Sequence, residues 1–349
     1  MYEINELLKT AVQNNASDIF LTVGVPPMVK IDNRILPMGE AKILAEDSKM
    51  LIFRLFPNEE KFALFMQNKC CDFSYSISGV GRFRVSTFFQ RGSVAATIRI
   101  VRFHLPDPEK LGIPQAVLDA YKYKSGLVLV TGPSGSGKST TLAAIINLIN
   151  ENRHGHILTI EDPIEYLHPH KNCIVNQREV NMDCISYADA LRVSLRQAPD
   201  VIFIGEMRDL ETISAAVTAA ETGHFVLSTL HTRGAANSID RIVDVFPPNQ
   251  QQQIRIQLAS VLKLVVSQQL VMNVSGCLTA AFEIMTVNSA IRNLIREGRT
   301  HQINMMIQSG QKEGMQTMTS CLKNMYQGGI ISRDMLTEAG FEGEIDLDE

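Results

Sequence analysis

The sequence predicts an α/β chain in two parts: a small α+β domain, then a doubly wound, mainly parallel sheet. Three observations predict it. Residues 132–140 read Gly-Pro-Ser-Gly-Ser-Gly-Lys-Ser-Thr, a complete G-x-x-x-x-G-K-[ST] pattern set between an apolar run and a helical one. From about residue 115 to 285, continuous apolar runs alternate with helical patterns, as buried parallel strands alternate with crossover helices. Ahead of this region, Phe103–Pro114 carries Pro106, Pro108, Gly112 and Pro114, the composition of a linker. The predicted boundaries are 1–102 for the first domain, 103–114 for the linker, 115–285 for the second domain and 286–349 for a helical C-terminal region with an acidic tail.

In the first domain, Ile4, Leu7, Leu8 and Val12 fall on one helical face. Ser17–Val23 and Pro27–Ile31 read as strands around a Gly-Val-Pro-Pro turn. Asp47–Leu55 reads as a helix stopped by Pro57. In Arg82–Phe88, Phe83, Val85 and Thr87 alternate with Arg84 and Ser86, so one face is buried and the other basic; Ala95–Val101 is its expected partner.

In the second domain the strand-like runs are Gly126–Thr131, Ile157–Ile160, Val201–Ile204 and Phe225–Thr229. After the glycine-rich loop, Leu142, Ile145, Ile146 and Ile149 recur at i, i+3, i+4 and i+7. Ile213, Ala216, Val217 and Ala220 do the same within Glu211–Thr222. Leu258–Met272, interrupted by Lys263 and Ser267–Gln269, is read as a packed helix. Beyond residue 286, Ile291, Leu294 and Ile295 form one helical face and Arg292 and Arg296 another; Glu342–Glu349 is an acidic tail.

Composition narrows the class. Hydrophobic residues make up 45% and the net charge is −4. That balance argues against a protein that grips nucleic acid by charge. No run approaches the length of a membrane span. The six cysteines are scattered without a C-x-x-C, so a zinc ribbon is not expected and buried structural thiols are.

The loop dictates the ligand class. Gly132, Pro133, Ser134, Gly135, Ser136, Gly137, Lys138, Ser139 and Thr140 form a cradle whose N–H groups and following helix attract phosphate. Lys138 is placed to reach the β- and γ-phosphates of ATP, and Ser139 to ligate Mg2+. Three strand ends offer the rest of a hydrolytic site. Glu161 is the first choice for polarising the attacking water. Glu206 follows Val201–Ile204 as in a Walker B strand, with Gly205 where Asp is common; it serves Mg2+, through a water, or shares activation of the nucleophile. Arg208 beside it is either an internal ion pair or a catalytic or interface group. His231, with Ser228, Thr229 and Thr232 around it, is a γ-phosphate sensor, whereas His224 is as easily structural. Arg82, Arg84 and Arg99 suggest a ring in which one subunit's first domain completes a neighbour's site.

These segments together resemble the type IV pilus retraction ATPases, the PilT-type twitching motors of the secretion-ATPase superfamily. The resemblance runs through Ala16-Ser17-Asp18, Gly126–Thr141, Ile157–Glu165, Asp200–Thr212, Ala219–Thr232, Ser238–Pro247, Gly314–Met318 and, most specific to retraction motors, Ala290–Glu297. Phe20, Ser134, Gln197-Ala198 and Phe282 depart from the usual pattern without removing a catalytic group. The resemblance implies a PAS-like first domain, a RecA-like ATPase domain and a homohexamer. It implies an ATP- and Mg2+-dependent motor that removes pilin from the pilus base. It also implies a platform-protein partner and a place at the cytoplasmic face of the inner membrane. It assigns phosphate and Mg2+ contacts to Lys138 and Ser139, catalysis to Glu161 and Glu206, sensing to His231 and cross-subunit contacts to Arg82 or Arg84 with Arg99. The competing readings are an assembly or type II secretion ATPase, whose four-cysteine element this chain lacks, and a nucleotide-gated regulator with little turnover.

Overall fold

The computed structural model describes residues 2–32, 34–101 and 107–338. Linker residues 103–106 and the acidic tail lie outside them. The chain divides into two compact units, Met1–His104 with Pro163–Leu167, and Leu105–Asp162 with His168–Glu349.

The first unit contains α1 (Ile4–Gln13), β1 (Asp18–Leu21), β2 (Met28–Ile31), β3 (Arg34–Pro37), α2 (Ala45–Phe53), α3 (Glu59–Asn68), β4 (Cys70–Ile77), β5 (Gly81–Gln90) and β6 (Ser93–Val101). Its six strands form one antiparallel sheet in the order β3-β2-β1-β6-β5-β4. The strand–turn–strand and helix readings of the sequence are present, with β3, β4 and α3 added to them. On β5, Phe83, Val85 and Thr87 are buried while Arg84 is exposed, as the alternation requires. A cluster of Phe56, Phe65 and Phe73 fills the core, with ring centroids 5.4 Å apart for Phe56–Phe65 and 4.5 Å for Phe56–Phe73.

The second unit opens with α4 (Gln115–Leu118), β7 (Gly126–Thr131), α5 (Lys138–Asn152), β8 (Gly155–Glu161), β9 (Cys173–Glu179), α6 (Tyr187–Ser194), β10 (Val201–Ile204) and α7 (Leu210–Glu221). It continues with β11 (Phe225–Leu230), α8 (Ala235–Asp244), α9 (Pro248–Val261), β12 (Leu262–Met272), β13 (Leu278–Thr286), α10 (Ser289–Glu297), α11 (Ile303–Ser309), α12 (Met318–Gln327) and α13 (Arg333–Glu338). The seven strands run in the order β13-β12-β7-β11-β10-β8-β9; only the β12–β13 pair is antiparallel. Both faces are covered. Leu142, Ile145, Ile146 and Ile149 of α5 pack on one, and Ile213, Ala216, Val217 and Ala220 of α7 on the other. No helix of the described residues is long and apolar enough to cross a membrane.

The packed helix expected over Leu258–Met272 is a correction. Helix α9 stops at Val261, and Leu262–Met272 is strand β12, paired parallel to β7 and antiparallel to β13. Leu264, Val265 and Val266 are all buried because both faces of this strand are covered, so no period-2 pattern marks it. The thiols also differ from expectation: Cys173 and Cys321 are buried, but Cys70 and Cys277 are exposed.

Candidate active site

Four adjacent strands, β7, β11, β10 and β8, run parallel, so their carboxyl ends lie side by side. In an open α/β sheet that edge is where ligands bind. The glycine-rich loop follows β7, His231 follows β11, Glu206 follows β10 and Glu161 ends β8. The topology thus gathers residues spread over a hundred positions of sequence.

The loop is shaped by glycine where only glycine serves. Gly132 has φ 145° and packs against the Gln268 carbonyl, and Gly137 has φ 85° as the N-cap of α5. A methyl group on Gly137 would stand 2.8 Å from Gln268 Nε2. Gln268 itself is buried in β12 and its Oε1 accepts from Thr141 Oγ1 at 2.7 Å. The loop is therefore clasped by a residue that no motif names; the signal in the sequence was a polar run inside an apolar strand. Lys138 is 8% exposed, and its Nζ donates to the carbonyls of Gly132 at 3.0 Å and Pro133 at 2.9 Å. Ser136 Oγ is buried and has no hydrogen-bond partner among the described residues. A curled loop with a buried ammonium, an unpaired hydroxyl and the N-terminus of a 15-residue helix fits a polyphosphate.

Glu206 is the hub of the second half of the site. Its Oε2 lies 2.6 Å from Arg208 Nε and 3.2 Å from His231 Nε2. The other ring nitrogen of His231, Nδ1, is 3.5 Å from Ser134 Oγ. His231 thus spans from the loop to Glu206. Arg208 pairs with Glu206 while its side chain stays 72% exposed. Asp209 plays a structural part, its carboxylate capping α7 through Thr212 N at 2.8 Å and Thr212 Oγ1 at 2.9 Å. His224 lies at the opposite end of β11, its Nδ1 3.0 Å from the Ala219 carbonyl at the close of α7.

Gly205 stands where a Walker B aspartate is common, and packing explains it. A methyl group there would meet Tyr187 Oη at 2.9 Å and Glu161 Cα at 3.4 Å. Burial, with Glu206, Asp162 and Glu161 nearby, pushes the Tyr187 phenol well above its ordinary range, so it keeps its proton. Glu161 is 7% exposed and accepts from Thr159 Oγ1 at 2.7 Å and Gln177 Nε2 at 3.1 Å, both on Oε1.

The three arginines are in the first unit. Arg84 on β5 and Arg99 on β6 are direct cross-strand partners, and Asp18 on β1 is the partner of Arg99 on its other side. Arg99 Nε donates to Asp18 Oδ1 at 2.9 Å. Burial would raise the Asp18 carboxyl, but hydrogen bonds from Arg99 and Ser17 outweigh it and hold it below the usual carboxylate range. Asp18 therefore offsets the like charge that Arg84 and Arg99 would otherwise share. Arg82 pairs in register with Val101.

Residues 54–337 match the model of the family described as "Type II/IV secretion system protein". The chain belongs to this family. It is 44% identical over 338 residues to the type IV pilus "retractation" ATPase PilT of Pseudomonas aeruginosa, covering 96% of this chain and 97% of that one. It is 40% identical over 347 residues to the type IV pilus ATPase PilU of the same organism, covering 99% and 91%. A crystal structure of the pilus retraction motor PilT with bound ADP superposes with a TM-score of 0.89 at 47% identity, covering 97% of both chains. The chain is thus similar along nearly its whole length to pilus retraction ATPases, and the two-part α/β reading of the sequence holds.

Proposed function

We propose that this protein is a hexameric, Mg2+-dependent ATPase whose turnover powers type IV pilus retraction. One observation carries the reading: His231 spans the phosphate loop and Glu206, so the group that meets a γ-phosphate is wired to a carboxylate. The whole-length similarity to retraction ATPases supplies the class of work.

In this reading the loop from Gly132 to Thr140 wraps the phosphates and Lys138 neutralises the β- and γ-oxygens. Ser139 and Glu206 would hold Mg2+, which would supply positive charge to offset that of the phosphates. Glu206 Oε2 already receives Arg208 and His231, and that suits a carboxylate that reaches the ion through water. Glu161 orients the attacking water and takes its proton. His231 donates to the γ-phosphate and, when that group leaves, stays with Glu206. Arg82, Arg84 and Arg99 meet the phosphates of a neighbouring subunit in a ring, where a planar cation stabilises the transferring phosphoryl group. The partner is a platform protein at the cytoplasmic face of the inner membrane, and pilin is moved indirectly.

The test has two arms. Purified protein should hydrolyse ATP with Mg2+, and Lys138→Ala should abolish turnover with an unchanged circular dichroism spectrum. A strain lacking the protein should carry excess unretracted pili. Missing pili would point to assembly, and ATP binding without turnover to a regulator.

A further inference from the structure

We propose that Gln177 is a positioning residue that fixes the Glu161 carboxylate for its work on water. The inference rests on the reading of Glu161 given above. Strands β8 and β9 run parallel, with Thr159 paired to Gln177 and Glu161 to Glu179. Thr159 and Glu161 are two residues apart and share a face, so Gln177 lies opposite the one and diagonal to the other. Thr159 Oγ1 and Gln177 Nε2 both donate to Glu161 Oε1, at 2.7 and 3.1 Å. A single donor leaves a carboxylate free to swing about its bond; two donors on one oxygen fix its plane.

The direction of the Gln177 amide is fixed in turn. The backbone N–H of His168 donates to Gln177 Oε1 at 2.8 Å. An N–H can only donate, so it selects the amide oxygen and turns Nε2 toward Glu161. A chain of three groups, His168 N–H, the Gln177 amide and the Glu161 carboxylate, therefore sets one oxygen of the general base. Thr159 is fully buried and Glu161 nearly so, which keeps water from replacing these donors. A base held in one orientation loses less to reorganisation during proton transfer.

Gln177→Met keeps the length and removes the donor. Gln177→Glu keeps the acceptor for His168 N–H and sets a second carboxylate against Glu161. With ATP and Mg2+, kcat should fall about tenfold in Gln177→Met and further in Gln177→Glu. KM for ATP and Kd for ADP should stay within about twofold, a split that a general loss of structure would not give. Wild-type kcat in Gln177→Glu would overturn the proposal, as would equal losses in kcat and in ADP affinity. Glu161→Gln separates the two levels. If it turns over like wild type, the assignment of Glu161 as the base fails. If it is inactive while Gln177→Glu keeps wild-type kcat, only the role of Gln177 fails.

Discussion

His231 Nε2 lies 3.2 Å from Glu206 Oε2, and the same ring reaches Ser134 of the phosphate loop through Nδ1. One side chain at the end of β11 therefore touches both the phosphate cradle and the β10 carboxylate. His231→Ala should lower kcat about 100-fold, the scale for losing one donor at developing charge. The side chain is 44% exposed, so the melting temperature should hold within about 1 °C. Steady-state ATPase assays and thermal scans check both parts. A His231→Ala enzyme with wild-type kcat would remove the sensor role.

Gly205→Ala tests the packing beside Glu206. Its methyl group would lie 2.9 Å from Tyr187 Oη, so the phenol or the strand end must shift, at about 1–3 kcal/mol. Tyr187→Phe deletes the colliding oxygen. The double variant Gly205→Ala/Tyr187→Phe should recover more than about 0.5 kcal/mol of that loss in a urea-unfolding cycle. Strict additivity would show that the two positions do not collide.

His168 makes stability depend on pH. Burial, helped by Lys171, lowers its imidazole from 6.5 to about 4, and its Nδ1 is buried with no partner among the described residues. The unfolded chain binds a proton near pH 6.5 while the folded chain resists until about pH 4. This contribution is therefore complete above pH 6.5 and is lost as pH falls toward 4, by up to about 3 kcal/mol. His168→Leu should flatten that acid slope in urea titrations at about pH 7.5 and pH 5, on either side of the unfolded imidazole's titration. An identical slope in both proteins would place its source elsewhere.

Helix α10 carries the Ala290–Glu297 run, and a coupling role there predicts that its outer face can be changed without loss of hydrolysis. Asn288 caps it at Ile291 N, Ile291 and Ile295 anchor it, and Gly298 closes it in a left-handed turn. Asn293 and Arg296 face outward and touch only weakly, at 3.5 Å. Replacing both by Ala should leave ATPase activity within about twofold, since cap and anchors remain, and should stop pilus withdrawal. Imaging of normally retracting pili in that strain would exclude this face from coupling.

The phosphate loop, the strands β7 and β10 and the carboxylates Glu161 and Glu206 were legible in the sequence because each carries its signal locally. Glycine spacing, continuous apolar runs and strand-end placement need no knowledge of distant residues. Gln268 and Gln177 were not legible for the opposite reason. Gln268 meets Thr141 across 127 positions, and Gln177 meets Glu161 only because β9 pairs with β8. Strand β12 was misread because its two buried faces erase the alternation that separates strand from helix. Its polar interruption at Ser267–Gln269 was the clue: Ser267 Oγ accepts from Gly234 N at 2.9 Å, just past the histidine loop, and Gln268 holds the phosphate loop.

The clasp between Thr141 and Gln268 has a mechanical consequence. Gln268 is paired with Phe282 on β13, and β13 ends two residues before the cap of α10. A two-stranded ribbon resists bending far better than a single connecting segment. A displacement of the loop against Gln268 would therefore pass through paired strands, not a free connecting segment, on its way to the outer helix.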